Sequence, residues 1–137
     1  MLRVIRFGGA FPQVEVSADD GGLRRLAEVL MSASGSLEFS LLIDDHDEDA
    51  AVRGTASSTD VSSVRVGESE NSLVQIMYAD ESNELLVSGG RDYLQILADN
   101  VAGLIGADPG SHQHIEWFEG HLYLDAESIP VVLAKRS

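Results

Sequence analysis

Two stretches of this chain carry the spacing of a helix with one apolar face, and each follows short segments that alternate like strands. Leu23, Leu26, Ala27 and Leu30 recur at intervals of one, three and four, as do Leu94, Leu97, Val101, Leu104 and Ile105. Such spacing lines side chains along one stripe. The two stretches also echo each other. Val16-Ser17 with Leu23, Leu26 and Ala27 matches Val87-Ser88 with Leu94, Leu97 and Ala98, every pair 71 residues apart. Gly35-Ser36 before a strand matches Gly110-Ser111 before a strand, 75 residues on. The echo predicts two β-β-α-β-β pseudo-repeats, about residues 1–68 and 73–136, within one α+β domain spanning residues 1–137. Its antiparallel sheet would carry the helices on one face.

The 137 residues are enough to bury roughly two-thirds of the unfolded surface in a core. A hairpin is expected over residues 2–7 and 14–16, turning at Gly8-Gly9. Ser17, Asp19 or Asp20 would cap a helix running to about residue 33, and Gly35 would stop it. Strands are expected at 37–43, 61–66, 73–78, 85–87, 112–118 and 129–134. The second helix would open within 88–92 and run to about 105.

Charge excludes several partners. Asp and Glu number 23 against 9 Lys and Arg, a net charge of −14. It divides evenly, −7 in residues 1–70 and −7 in 71–137. Nucleic acid needs clustered cations, and an anionic membrane surface repels such a chain. There is no cysteine, so no disulfide, thiolate zinc site or Cys nucleophile exists. No apolar run reaches the roughly 18–20 residues of a membrane helix. The N-terminal residues alternate Arg with apolar side chains and lack the apolar core of a signal peptide. The expectation is a cytoplasmic protein.

The densest acidity is Asp44, Asp45, Asp47, Glu48 and Asp49 around His46. In a calcium loop the sixth position would be Gly and the twelfth Glu; in the frame of Asp45 they are Ala50 and Ala56. That leaves a solvated loop, or a surface that meets a basic partner.

His112, His114 and Glu116 alternate, so on a strand they share one face opposite Ile115 and Trp117. With His121 they supply ligand types for a divalent transition metal. An exposed polar sheet face has the same pattern. Gly106, His112-x-His114 and Glu119 copy the first half of a cupin motif. The closing glycine would fall at Ala126, and a helix stands where a cupin needs strand. No Gly-x-Ser-x-Gly elbow is present, and Gly89-Gly90-Arg91 lacks the Lys-Ser/Thr pair of a phosphate loop.

The segment His112-Gln113-His114-Ile115-Glu116-Trp117-Phe118-Glu119-Gly120-His121, with residues 122–133 after it, resembles immunity proteins of bacterial polymorphic toxin systems. The resemblance covers roughly residues 73–136. It implies a cytoplasmic, non-enzymatic α+β protein that needs no cofactor and blocks a cognate toxin domain. Acid excess would favour a basic toxin. Asp44, Asp45, Asp47, Glu48 and Asp49 would meet its cations, and His112, His114, Glu116 and His121 would form a second contact. The competing readings are a small metal-binding protein or metal-dependent hydrolase built on those last four residues, and a homodimerising scaffold.

Overall fold

A computed structural model describes residues 1–39 and 58–137. In chain order its elements are β1 (Leu2–Phe7), β2 (Gln13–Ala18), α1 (Asp20–Ser32), β3 (Gly35–Glu38), β4 (Ser58–Asp60), β5 (Ser63–Glu68), β6 (Gln75–Ala79), β7 (Glu84–Gly89), α2 (Arg91–Ala102), β8 (His112–Ile115) and β9 (Val131–Lys135). The fold is α+β, as the periodicities imply. The expected strand at 37–43 is β3 as far as Glu38, and its remainder from residue 40 lies outside the described residues.

The strands form two sheets rather than one antiparallel sheet. Five strands run in the order β4-β1-β2-β9-β8, and four in the order β3-β5-β7-β6. Each sheet contains one parallel pair, β2 with β9 and β5 with β7. In both, a hairpin from one half of the chain takes its parallel neighbour from the other half. Alternation shows which side chains face the core, but it does not show which strand lies alongside. The other described strand pairs are antiparallel, as expected; the two parallel pairs are what alternation does not disclose.

The inward sides of both sheets and the apolar stripes of both helices meet in one hydrophobic cluster. Leu23, Leu26, Ala27 and Leu30 on α1 are buried, as are Leu94, Leu97, Ala98 and Val101 on α2. Val4, Val16 and Leu133 from the first sheet face Val64, Leu85 and Val87 from the second around an apolar void of about 30 Å³. Packing of this density leaves room for little beyond one water.

The entries to the two helices repeat one hydrogen-bond pattern. Asp19 N–H donates to the Met1 carbonyl and Leu23 N–H to the Asp19 carbonyl. Gly90 N–H donates to Ser72 and Leu94 N–H to Gly90. Every residue of the second set stands 71 after its counterpart. Only α1 has a side-chain cap: Asp19 Oδ1 accepts from Gly22 N–H at 2.9 Å and from the Met1 amino group at 2.8 Å. Both contacts, the Met1 group first, hold the Asp19 carboxyl below the usual range.

Among the described residues one charged side chain is buried. Lys135, at the end of β9, is 5 % exposed. Its Nζ donates to the Ala107 carbonyl at 2.8 Å and pairs with Asp20 Oδ1 at 2.5 Å. Gly106 N–H donates to the same carboxylate. These contacts tie the start of α1 to the chain leaving α2. They also lower the Asp20 pKa, the Lys135 hydrogen bond contributing most.

Two predictions follow from these entries. A Cβ on Gly22 would lie 2.0 Å from the Met1 carbonyl oxygen, whereas one on Gly21 would meet only Asp19 Oδ1 at 3.5 Å. Gly22→Ala is expected to destabilise by roughly 1–3 kcal/mol in urea titration. Gly21→Ala should change stability by less than about 1 kcal/mol, in the stabilising direction. Folded Asp20 holds its proton less tightly than the unfolded chain does. Its contribution is complete above the unfolded pKa and is lost as pH falls through the folded one. The stability gap between the wild type and Asp20→Asn should therefore be widest at neutral pH and close below about pH 4.

Candidate functional site: the β8–β9 loop

Strand β8 is shorter than its alternation suggests. In the antiparallel register with β9 its last pair is Ile115 with Val131. The expected strand at 112–118 stops at Ile115. Glu116, Trp117, Phe118 and Glu119 leave the sheet as an exposed loop.

This changes the neighbours of the candidate metal ligands. His112 and His114 do share the outer face of β8, both exposed, with ring centroids 5.5 Å apart. Glu116 lies beyond the strand. His121 sits in the loop with Nδ1 turned to the backbone, accepting from Tyr123 N–H at 3.3 Å and Leu124 N–H at 3.1 Å. Among the described residues no three His, Asp or Glu side chains gather as metal ligands. His112, His114, Glu116 and His121 thus form no common cluster, because strand alternation was carried past the point where the strand ends. The other candidate contacts, Asp44, Asp45, Asp47, Glu48 and Asp49, lie outside the described residues.

What the loop does assemble is a column of rings. Phe118 and His121 have centroids 4.7 Å apart, and His121 and Tyr123 are again 4.7 Å apart, edge to face. Tyr123 is 5 % exposed, and its hydroxyl accepts from Asn100 Nδ2 on α2 at 2.7 Å. Burial raises the Tyr123 pKa. Below it, Leu124 is fully buried and bridges in parallel to Val74. Val74 N–H donates to the Tyr123 carbonyl and Asp125 N–H to the Val74 carbonyl, both at 2.7 Å. Ser128 Oγ donates to Val74 and accepts from Ile76 N–H. The return limb is thereby stitched to the second sheet, while β8 belongs to the first.

The outward end of the column is apolar and acidic. Leu122 is 81 % exposed, Phe118 61 % and Trp117 42 %. Glu116 and Glu119 flank them. The sequence reading assigned Trp117 to the inner strand face beside Ile115 and missed Phe118 and Leu122.

Most described cations are already engaged. Arg3 pairs with Asp60, Arg65 with Glu84, Arg91 with Glu68, Lys135 with Asp20 and Arg136 with Glu15. Arg6 lies 4.8 Å over the Tyr78 ring in a groove of about 340 Å³ that Asp80 and Glu127 also line. The surplus of acid is what the surface presents outward.

The family model for Immunity protein 32 matches residues 13–49 and 84–136, about two-thirds of the chain. The chain belongs to the Immunity protein 32 family. The matched segments include the acidic stretch, both helices and the whole β8–β9 loop. No curated protein and no solved structure matches the chain.

The hydrogen bonds of His121 make a testable distinction. His121→Ala should remove two backbone contacts and destabilise by about 1–3 kcal/mol, with faster amide exchange at Tyr123 and Leu124. His112→Ala and His114→Ala should each stay within about 0.5 kcal/mol. Equal effects at all three histidines would contradict the difference in their roles.

Proposed function

We propose that this member of the Immunity protein 32 family binds and blocks a cognate toxin domain, acting by occupancy rather than by chemistry. The observation that carries the reading is the family match over residues 13–49 and 84–136. No helix among the described residues is long and apolar enough to cross a membrane. That agrees with a protein that meets its toxin in the cytoplasm.

The partner is basic. With −14 on the chain and most described cations already paired, long-range attraction to a cationic surface raises the association rate and weakens with salt. Asp44, Asp45, Asp47, Glu48 and Asp49 form the densest charge in the sequence and would focus that field. A toxin whose substrate is polyanionic, such as a nuclease, would carry the matching surface.

The test uses the purified chain and the toxin domain encoded beside its gene. The expected results are a one-to-one complex and loss of toxin activity at stoichiometric chain. Reversing Asp45, Asp47 and Glu48 to Lys should slow association about tenfold or more at low salt, an effect that fades as salt rises. Full toxin activity in the presence of excess chain would overturn the reading. An association rate unchanged by the reversals would remove the acidic stretch from it.

A further inference from the structure

We infer that the β8–β9 loop is the anchor that enters the toxin, and that it fits an apolar pocket rimmed by lysine or arginine. The inference rests on the proposed immunity function and adds the surface through which it acts.

Three observations converge on this loop. First, composition: Trp117, Phe118 and Leu122 place three large apolar side chains in solvent within six residues, at 42 %, 61 % and 81 % exposure. Aromatic anchors of this kind carry a disproportionate share of binding energy at protein interfaces. Second, order: the ring column from Phe118 through His121 to buried Tyr123 holds the apex in one arrangement. His121 N–H also donates to the Phe118 carbonyl, closing the turn. A loop fixed before binding loses little freedom on docking. Third, charge: Glu116 and Glu119 flank the apolar apex, and neither has a cationic partner among the described residues.

The charge selects the occupant. A second copy of this chain would bring another −14 and more carboxylates against these two, so repulsion opposes self-association through the loop. A cationic rim reverses that sign. The same side chains that would burden a free surface become an apolar plug with an ionic collar. Here His121 is a positioning residue. It acts through Phe118 and needs no contact with the partner.

The measurement is calorimetric titration of the full chain against the toxin domain encoded beside its gene, with light scattering of the chain alone. The double variant F118A/L122A should weaken binding at least 100-fold while the chain stays folded with only a small loss of stability, because Leu122 is exposed and Phe118 is buried only in part against His121. E116Q/E119Q should weaken it about tenfold at low salt and less at high salt. H121Q should weaken binding while retaining Phe118 and Leu122. Phe11→Ala, at a side chain 90 % exposed on the β1–β2 turn, should bind like the wild type. If the wild type binds and F118A/L122A binds within threefold of it, the anchor assignment is overturned and the immunity function stands. If the wild type itself does not bind, the function fails first. A dimer in light scattering that F118A/L122A converts to monomer would assign the loop to a second copy instead and overturn the proposal.

Discussion

The exchange of strands between the two halves of the chain is the constraint on which everything else rests. The β1–β2 hairpin gains its parallel neighbour from β9, where Val14 pairs with Val131, and the β6–β7 hairpin gains its own from β5. Neither hairpin with its helix has a second layer of its own to bury the apolar face. Crossing the halves gives both faces the same partner, one core shared by two sheets and two helices. The buried Lys135 fits this scheme. It ends the exchanged strand β9, and its pairing with Asp20 locks that strand to the start of α1. Only the lysine of this pair is buried; the Asp20 side chain is 40 % exposed, and the cost of desolvating Lys135 offsets much of the attraction. The use of the pair here is to fix where the exchanged strand ends.

The proposed binding surface is a product of the same exchange. β8 and β9 pair only with each other and β2, so the chain between them must leave the first sheet. It crosses to the edge of the second at Val74 and returns. It leaves after Ile115, whose partner is Val131. The loop thus starts and ends in the first sheet, while its return limb is tied to the second through Leu124 and Ser128. Its ordered apex is a geometric consequence of connectivity, and Trp117, Phe118 and Leu122 are the side chains that this geometry leaves without cover.

Much of the fold is legible in the sequence, and the limits have physical causes. Both helices sit where the apolar stripes place them, and Asp19 caps the first as its residue type suggests. The 71-residue echo reappears in the backbone bonds of Asp19 and Gly90. Strand partners were not legible, because side-chain alternation is the same beside a parallel or an antiparallel neighbour. The metal reading of His112, His114, Glu116 and His121 depended on strand continuing past Ile115. Where that strand ends depends on its pairing with β9, which alternation within residues 112–118 does not carry. The role of His121 was hidden for a related reason. A histidine that satisfies two backbone N–H groups looks, in sequence, like a ligand.

Trp117 is the one tryptophan in the chain, which permits a direct test of how this family member meets its toxin. Incorporation of 5-fluorotryptophan gives a single fluorine NMR resonance at the loop. With the toxin domain encoded beside the gene, the resonance should shift and broaden and should saturate at one equivalent. Its response to added paramagnetic probe should also fall as the indole is covered. A resonance that keeps its position and its accessibility, in a sample where the two proteins co-elute, would contradict the account by showing that the toxin binds elsewhere.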